Sequence, residues 1–381
     1  MRKSVLLIVI ASCLLLVAGL AVRGEDGAAP PPASAGAPKK PGEIDEKTRL
    51  AIQKGLKYLS DIQEKSTGAF GTDNKLAATS LAGMAFLSGG NLPGRGLYGK
   101  NVELALTFIL SNAVMPTGYI QIAGSNMYSH GFAALFLAEC YGAIPPYMKL
   151  DVKVRKALTK AVQLLEKCQN AEGGWWYDPQ KNSGVQGADI SVTVCETNAL
   201  RAARNCGVTV DKRVIEAALK CVKAAHNQND GGFSYRVNNG KGSGGSEFPR
   251  SAGAVCILQA LGAYDTPEAK AGIRFLLERS TPEKKGQMQF AGAFMYYACY
   301  YASQAMFMSG KENWDRWWPY IRDVMLGQQQ PTGGWPPGEG QNPAYGTAIS
   351  LIVLQMPYRY LPIYQEGVDN APGTTPTEGS H

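Results

Sequence analysis

Two kinds of helical pattern alternate along residues 45–356. In the first kind, apolar residues recur at helical spacing with lysines between them, as Leu56, Leu59 and Ile62 do around Lys57. A helix with one apolar face lies on a core and turns its other face to water. The six segments of this kind are Glu46–Gln63, Val102–Ser111, Val152–Gln169, Lys212–Gln228, Pro267–Ser280 and Trp314–Gln329.

The second kind of segment is apolar on most of its faces and rich in alanine, glycine and aromatic residues. A helix of this composition is buried. The six segments are Leu76–Leu87, Ser129–Tyr141, Ile190–Asn205, Ser251–Leu261, Ala293–Met308 and Tyr345–Leu354. Alternating amphipathic and buried helices predict an outer ring around an inner ring. We expect the ring to be closed, because neither end repeat is polar enough to cap an open solenoid.

A short phrase recurs where the amphipathic segments end. It reads Gln169-x-x-x-Gly173-Gly174-Trp175 in its clearest copy. The aligned glycines of all copies are Gly68, Gly118, Gly174, Gly232, Gly286 and Gly334, spaced 48 to 58 residues apart. This period predicts one supersecondary unit repeated six times. Glycine ends a helix and the following aromatic covers its last turn, so each copy predicts a corner between two helices.

The first 24 residues have the composition of a secretory signal. Arg2 and Lys3 precede the apolar run Val5–Val22, and small residues follow. Two alternatives stay open: lipidation at Cys13, and an uncleaved anchor, since about 18 apolar residues just span a bilayer. We therefore expect an exported protein of the periplasm, cell envelope or extracellular space. The N-terminal segment is the part through which it would associate with a membrane.

The remaining composition sets the domain organisation. Residues 25–44 form a Pro/Ala-rich linker and residues 357–381 a similar tail, so both are expected to be disordered or flexible around one domain at 45–356. The net charge of +7 is spread without a basic run, which argues against a nucleic-acid partner. Seven cysteines follow the leader in no C-x-x-C spacing, a pattern that favours buried thiols over disulfides or zinc ligands.

Several phrases resemble a known family. Lys54-Gly55-x-x-Tyr58-Leu59-x-x-x-Gln63 resembles the front half of the QW motif of terpenoid cyclases, and the phrases at 169–175 and 329–335 resemble its second half. Asp189-Ile190-Ser191-Val192-Thr193 is similar to the inner-helix entry of the prenyltransferase and squalene-oxidase repeat. The resemblance spans about residues 45–356. It implies an all-α fold, the alpha/alpha toroid of six helical hairpins found in squalene-hopene cyclases and protein prenyltransferase β subunits.

The catalytic groups of that family are not matched. Its cyclases protonate the substrate with an Asp-x-Asp-Asp cluster, but here Ser191 and Val192 follow Asp189. A hydroxyl is too weak an acid for alkene protonation. Its prenyltransferases bind zinc through an Asp-x-Cys pair and a histidine, and neither His130 nor His226 has such partners. We therefore expect no squalene cyclisation, no zinc-dependent prenyl transfer, no metal and no cofactor.

Other residues offer weaker candidates for catalysis. Asp189 and Glu196 share one face of a predicted inner helix and would act as acid and base if that face lines the chamber. Alternatively, Asp189 caps the helix and Glu196 pairs with Arg201 or Arg204. His130 is either a general base at the chamber mouth or a hydrogen-bond partner of a loop carbonyl.

Further side chains are expected near a central cleft. The candidates for lining it are Tyr128, Trp176, Asp178, Arg250 and Tyr345. The tyrosines at 296, 297, 300 and 301 either stabilise a cation in the chamber or form core. The glycine-rich residues 238–245 form either a lid or a surface insertion.

Three functions are compatible with this sequence. The first is an exported toroid that binds an isoprenoid or another small apolar ligand without classical cyclase or prenyltransferase chemistry. The second is a carbohydrate-active lyase or hydrolase, which requires two carboxylates or a Tyr/His/Arg set in the cleft and takes a glycan. The third is an envelope scaffold. An apolar closed chamber would favour the first, a polar open groove the second and a filled centre the third.

Overall fold

The computed structural model describes residues 44–179, 187–280, 294–338 and 341–365, and these contain twelve α-helices. The outer helices are α1 (Glu46–Ile62), α3 (Gly99–Ser111), α5 (Asp151–Cys168), α7 (Lys212–Ala224), α9 (Pro267–Arg279) and α11 (Lys311–Gln328). The inner helices are α2 (Lys75–Ser88), α4 (Met127–Cys140), α6 (Ile190–Asn205), α8 (Phe248–Ala260), α10 (Met295–Met308) and α12 (Pro343–Gln355). The predicted leader with Cys13, all but the end of the linker, the repeat copy at Gly286 and the tail after residue 365 lie outside the described residues.

The inner helices form a closed ring. Each packs against the next in the order α2, α4, α6, α8, α10 and α12, and α12 packs against α2. At the closure, Gln329 Nε2 donates to the Ala51 carbonyl of the first helix over 2.8 Å. Gln355 Nε2 donates to the Ala85 carbonyl over 3.0 Å. The predicted closed two-layer ring is therefore confirmed.

Burial separates the two rings as the sequence pattern predicts. Every residue of α2 from Leu76 to Ser88 is buried, whereas α5 buries only the face that carries Val154, Leu158 and Leu165. All seven cysteines in the described ranges are free, and only Cys206 is partly exposed. No helix within those ranges combines the length and apolar character needed to cross a membrane.

The corners differ in detail from the predicted helix ending. The helix stops before the glutamine, and Gln169 Nε2 donates to the Gly173 carbonyl and to the Val214 carbonyl of the next outer helix, both over 2.8 Å. The first glycine of the pair, Gly173, has a φ of +88°, which favours glycine. The second, Gly174, has ordinary φ but no room for a side chain, because a Cβ would lie 2.6 Å from Ala188 Cβ. In the copies with two glycines the left-handed residue is therefore the first of the pair, whereas in the copies with one glycine it is the aligned Gly68 or Gly118 itself.

The tryptophan of each Gly-Gly-Trp corner is fastened in two ways. Trp175 Nε1 donates to the Leu165 carbonyl over 2.9 Å, and the Trp175 backbone amide donates to Thr193 Oγ1 over 3.2 Å. Trp335 repeats the first bond with Met325 over 2.7 Å. The corner is therefore tied both to the outer helix before it and to the inner helix after it.

A small antiparallel sheet lies beside the ring, with strands β1 (Ala188–Asp189), β2 (Arg236–Asn238) and β3 (Lys241–Ser243) in that order. The glycine-rich stretch predicted as a lid or insertion is mostly this β2–β3 hairpin. Asn239 and Gly240 have φ values of +51° and +69°, as a two-residue hairpin turn requires. The Glu172 carboxylate accepts from both of their backbone amides, over 2.8 and 2.9 Å, and so anchors the turn.

Part of residues 357–365 is buried, although the sequence pattern assigned the whole segment to the flexible tail. Two 3-10 turns, Met356–Tyr358 and Pro362–Tyr364, follow α12, and the second lies against α6 and α10. Leu361, Ile363 and Tyr364 are at most 4% exposed. These apolar side chains explain the difference, because their burial offsets the cost of ordering the segment.

Candidate ligand-binding cleft

A cleft of about 320 Å³ opens at the end of the ring where the inner helices begin. Residues at the starts of α2, α4, α10 and α12 form its wall, together with a tyrosine of the corner before α6. Six aromatic side chains line it: Tyr128, Phe132, Tyr177, Phe294, Tyr297 and Tyr345. Tyr300 and Tyr301 are at most 1% exposed and do not line the cleft, so these two tyrosines form core, whereas Tyr297 lines the cleft.

Three polar side chains of the cleft have no partner among the described residues. They belong to Asn74, Asn126 and Ser129, none of which makes a side-chain hydrogen bond there. Asn342 also lines the cleft, but its Oδ1 accepts from the Ala344 amide and its Nδ2 donates to two backbone carbonyls. The cleft therefore presents two amides and a hydroxyl that are available to a ligand.

A chain of hydroxyls lies behind the aromatic wall. Tyr177 Oη donates to Asp189 Oδ2 over 3.0 Å and lies 2.9 Å from Tyr235 Oη. Tyr297 Oη donates to the Ser191 carbonyl over 3.4 Å. Burial raises the pKa of Tyr177 and of Tyr297 well above the usual value, so both remain hydrogen-bond donors even in alkaline solution.

Asp189 caps helix α6, which agrees with the second of the two interpretations given for it above. Its side chain is fully buried, and Oδ1 accepts from the Ser191 amide over 2.7 Å and from the Val192 amide over 3.3 Å. Its second oxygen accepts from Tyr177. With both oxygens engaged, Asp189 positions Tyr177 and is not itself presented to the cleft.

Glu196 lies away from the cleft. It is fully buried against α4, where a Cβ at Gly131 would lie 2.9 Å from its Oε2. Neither carboxylate oxygen has a hydrogen-bond partner in the described part of the chain, so the predicted pairing with Arg201 or Arg204 is wrong. Burial raises the pKa of Glu196 well above its usual value, which makes it a neutral acid between two inner helices.

His130 takes the place of the corner-binding hydroxyl in its repeat. Its Nδ1 accepts from the Ile120 backbone amide over 3.2 Å, as Thr193 Oγ1 accepts from Trp175. It therefore binds a loop amide and not the loop carbonyl that was expected. Burial lowers the pKa of His130 to about 4, so the ring is neutral at physiological pH.

The five residues expected to line the cleft divide into two groups. Tyr128 and Tyr345 line it, whereas Trp176 and Arg250 lie beside it and Asp178 is exposed. Sequence reasoning missed Asn74 and Asn126. A signal for them exists, because Asn74, Asn126 and Asn342 are all N-cap residues of inner helices at equivalent repeat positions. In the described ranges, no cluster of three or more His, Cys, Asp or Glu is arranged to hold a metal ion.

Solved structures share this architecture. The type II terpene cyclase MstE from Scytonema has a TM-score of 0.55 at 15% identity, covering 83% of this chain and 99% of the cyclase. The cellobiose 2-epimerase from Bacillus thermoamylovorans has a TM-score of 0.59 at 12% identity, covering 82% and 98%. A family 76 glycoside hydrolase from a bovine Bacteroides thetaiotaomicron strain has a TM-score of 0.58 at 9% identity, covering 83% and 78%. The chain is an alpha/alpha toroid.

At these identities the likeness shows the fold alone. The fold occurs in proteins named for terpene and for carbohydrate chemistry, so it does not choose between them. No family model matches the chain, and no curated protein matches it in sequence. The choice of ligand must come from the cleft itself.

Proposed function

We propose that this protein binds a small hydroxylated ligand of the carbohydrate class in the central cleft. The observation that carries the proposal is the combination of aromatic faces with the unpartnered side chains of Asn74, Asn126 and Ser129. Sugars present apolar C–H faces to aromatic rings and hydroxyls to amides. Pockets of this kind fix a ligand with a few polar groups in an otherwise apolar wall.

An isoprenoid suits the polar groups of the cleft less well. Filling the cleft with hydrocarbon would remove water from the two free amides and supply no hydrogen bond in return. Burying an amide without a partner costs about 1 to 3 kcal/mol in proteins. The same amides are satisfied by a sugar hydroxyl, which both donates and accepts.

The proposal concerns binding because the cleft supplies the groups that binding needs. Hydrolysis of a glycosidic bond commonly uses two carboxylates a fixed distance apart. The described cleft-lining residues include no aspartate or glutamate, and the nearby Asp189 is engaged as a cap. A volume of 320 Å³ is near the lower limit for ligand pockets, about 300 Å³, and fits a small ligand or one end of a longer one.

The test is a binding measurement with matched variants of the full chain. We expect calorimetry to detect at least one member of a panel of mono- and disaccharides. Tyr128→Ala and Asn126→Ala should each weaken that binding about tenfold, as expected for loss of one aromatic contact or one hydrogen bond. Tyr147→Ala is the matched control, because Tyr147 is 70% exposed on a loop between an inner and an outer helix, outside the cleft.

Two results would contradict the proposal. One is binding of geranylgeraniol but of no saccharide, which would favour the isoprenoid alternative. The other is saccharide binding that neither variant weakens, which would move the site away from the cleft. Release of shortened sugars during the titration would show that hydrolysis occurs as well.

A further inference from the structure

A ledge of aromatic and basic side chains adjoins the cleft. It consists of Trp176, Tyr235, Arg236 and Arg250. The Trp176 ring packs edge-on against Tyr177, the tyrosine of the cleft wall, at 5.1 Å between centroids. Tyr235 joins the same wall through its hydroxyl, 2.9 Å from that of Tyr177. The ledge therefore adjoins the cleft through Tyr177, and of its members Trp176 is buried, at 8% exposed.

Arg236 carries a charge that no counter-ion balances directly. Its guanidinium carbon lies 4.7 Å from the Trp176 centroid and 5.1 Å from the Tyr235 centroid. Its Nε is buried without a hydrogen-bond partner, and it forms no ion pair with a described residue. Its cross-strand neighbour in the β1–β2 pair is Asp189, whose oxygens accept from Tyr177 and from amides of α6 and form no ion pair with it. Ring contacts, and not a carboxylate, hold this arginine in place.

Arg250 adds a second cation to the other side of Tyr235. Its guanidinium carbon is 5.0 Å from the Tyr235 centroid, and Nη1 donates to the Gly245 carbonyl over 3.0 Å. Its Nη2 lies 2.6 Å from the Glu247 carboxylate, whose side chain is 60% exposed. Arg250 thus has a solvent-exposed ion-pair partner, whereas Arg236 forms no ion pair within the described ranges.

We propose that the ledge binds an anionic group of the ligand, so that the protein recognises an acidic sugar, either a uronate or a sulfated sugar. This inference rests on the proposed function and adds the charge of the ligand to it. A guanidinium matches a carboxylate or sulfate with parallel hydrogen bonds, and such charge-assisted bonds are stronger than neutral ones. Packing over Trp176 restricts the guanidinium before a ligand arrives, which lowers the entropy lost on binding.

The alternative is that Arg236 only covers the Trp176 ring. Arginine commonly packs over tryptophan, and that contact contributes to folding without any ligand. The two roles differ in one measurable respect. A covering role changes stability and leaves sugar preference unaltered, whereas an anion site changes the preference between acidic and neutral sugars.

The experiment compares the full chain with three arginine variants. An array of uronate-bearing, sulfated and neutral oligosaccharides identifies the best acidic ligand, and calorimetry then compares this ligand with its neutral counterpart. We expect the acidic sugar to bind more tightly, and raised salt to weaken its binding alone. Arg236→Gln should lower affinity for the acidic sugar about tenfold or more and leave the neutral one unchanged. Arg236→Lys should recover part of the loss, and Arg95→Gln, at an exposed arginine on the α2–α3 loop, should change nothing.

The outcomes separate the two proposals. Equal affinity for acidic and neutral sugars, or an Arg236→Gln variant that keeps the wild-type preference, overturns the anion site and leaves the cleft proposal standing. Failure of the wild-type protein to bind any sugar overturns both. Circular dichroism of each variant checks folding, and Arg236→Lys remains informative if Arg236→Gln does not fold.

Discussion

Trp335 offers a direct test of how the ring is held closed. Its side chain is 1% exposed, and its ring contacts the first outer helix, where a Cβ on Gly55 would lie 2.7 Å from Trp335 Cζ3. Burial of about 150 to 250 Å² of ring at about 25 cal/mol/Å² corresponds to about 4 to 6 kcal/mol, an upper bound. Large-to-small replacements in cores cost about 3 to 5 kcal/mol. We therefore expect Trp335→Ala to lower the free energy of unfolding by about 3 to 5 kcal/mol.

The hydrogen bond of the indole can be separated from the packing. Met325 is in the last turn of α11, so its carbonyl lacks a partner within the helix and Trp335 Nε1 supplies one over 2.7 Å. Trp335→Phe keeps most of the ring and should cost about 1 to 3 kcal/mol for the carbonyl left unpaired. Gly55→Ala should cost a similar amount through overpacking. It should cost less when Trp335 is already alanine, because the two sites touch.

Guanidinium unfolding followed by circular dichroism measures these differences. Tyr360→Ala is the control, since Tyr360 is 57% exposed and surface changes stay within about 0.5 kcal/mol. A loss below about 0.5 kcal/mol for Trp335→Ala would refute the argument, because the ring would then be a surface side chain. Strict additivity of Gly55→Ala and Trp335→Ala would refute the contact between them.

Three further predictions concern single side chains. Gln329→Ala removes the bonds to Gly333 and Ala51 and should cost about 1 to 3 kcal/mol in urea unfolding, whereas its exposed neighbour gives a Gln330→Ala control near zero. The folded-state pKa of His130, about 4, lies below its unfolded value near 6.5, so stability should fall as the pH drops from about 6.5 towards 4. His130→Thr, the residue type of the first, third and sixth repeats, should flatten that part of the unfolding profile. The folded-state pKa of Glu196 is raised above 4.5, so its contribution to stability is lost as the pH rises above that value. Glu196→Leu should therefore stabilise the protein more at pH 8 than at pH 5, and the reverse order would contradict the assignment.

The helices could be predicted because each layer has its own hydrophobic pattern. Their starts were less accurate: α3, α8 and α11 begin three residues before the predicted positions Val102, Ser251 and Trp314. At each of these starts the chain is already helical before its apolar periodicity becomes recognisable. Pro249 lies in the first turn of α8, where proline favours the start of a helix. Hydrophobic periodicity alone does not detect this signal. The leader remains a prediction, since residues 1–24 lie outside the described ranges.

The candidate site was harder to predict because proximity depends on the ring. Asn74, Asn126 and Tyr345 come from three different repeats, and only closure brings them to one cleft. Glu196 was placed near the cleft for a different reason. Helical spacing placed it on one face with Asp189, but that face turns towards α4 and not towards the cleft. Periodicity identifies which residues share a face, and the neighbouring helix decides what that face meets.

Closure of the ring also constrains how the chain is made. The bond from Gln329 to Ala51 joins residues 278 positions apart, so no ribosome-bound chain can complete the ring until its last hairpin has emerged. Until then α2 lacks α12, its neighbour across the closure, and part of its apolar surface stays uncovered. Contacts of such long sequence separation slow folding, and exposed apolar surface invites aggregation. Slowing translation before residue 343, where α12 begins, should therefore lower the yield of native protein more than slowing it after residue 365.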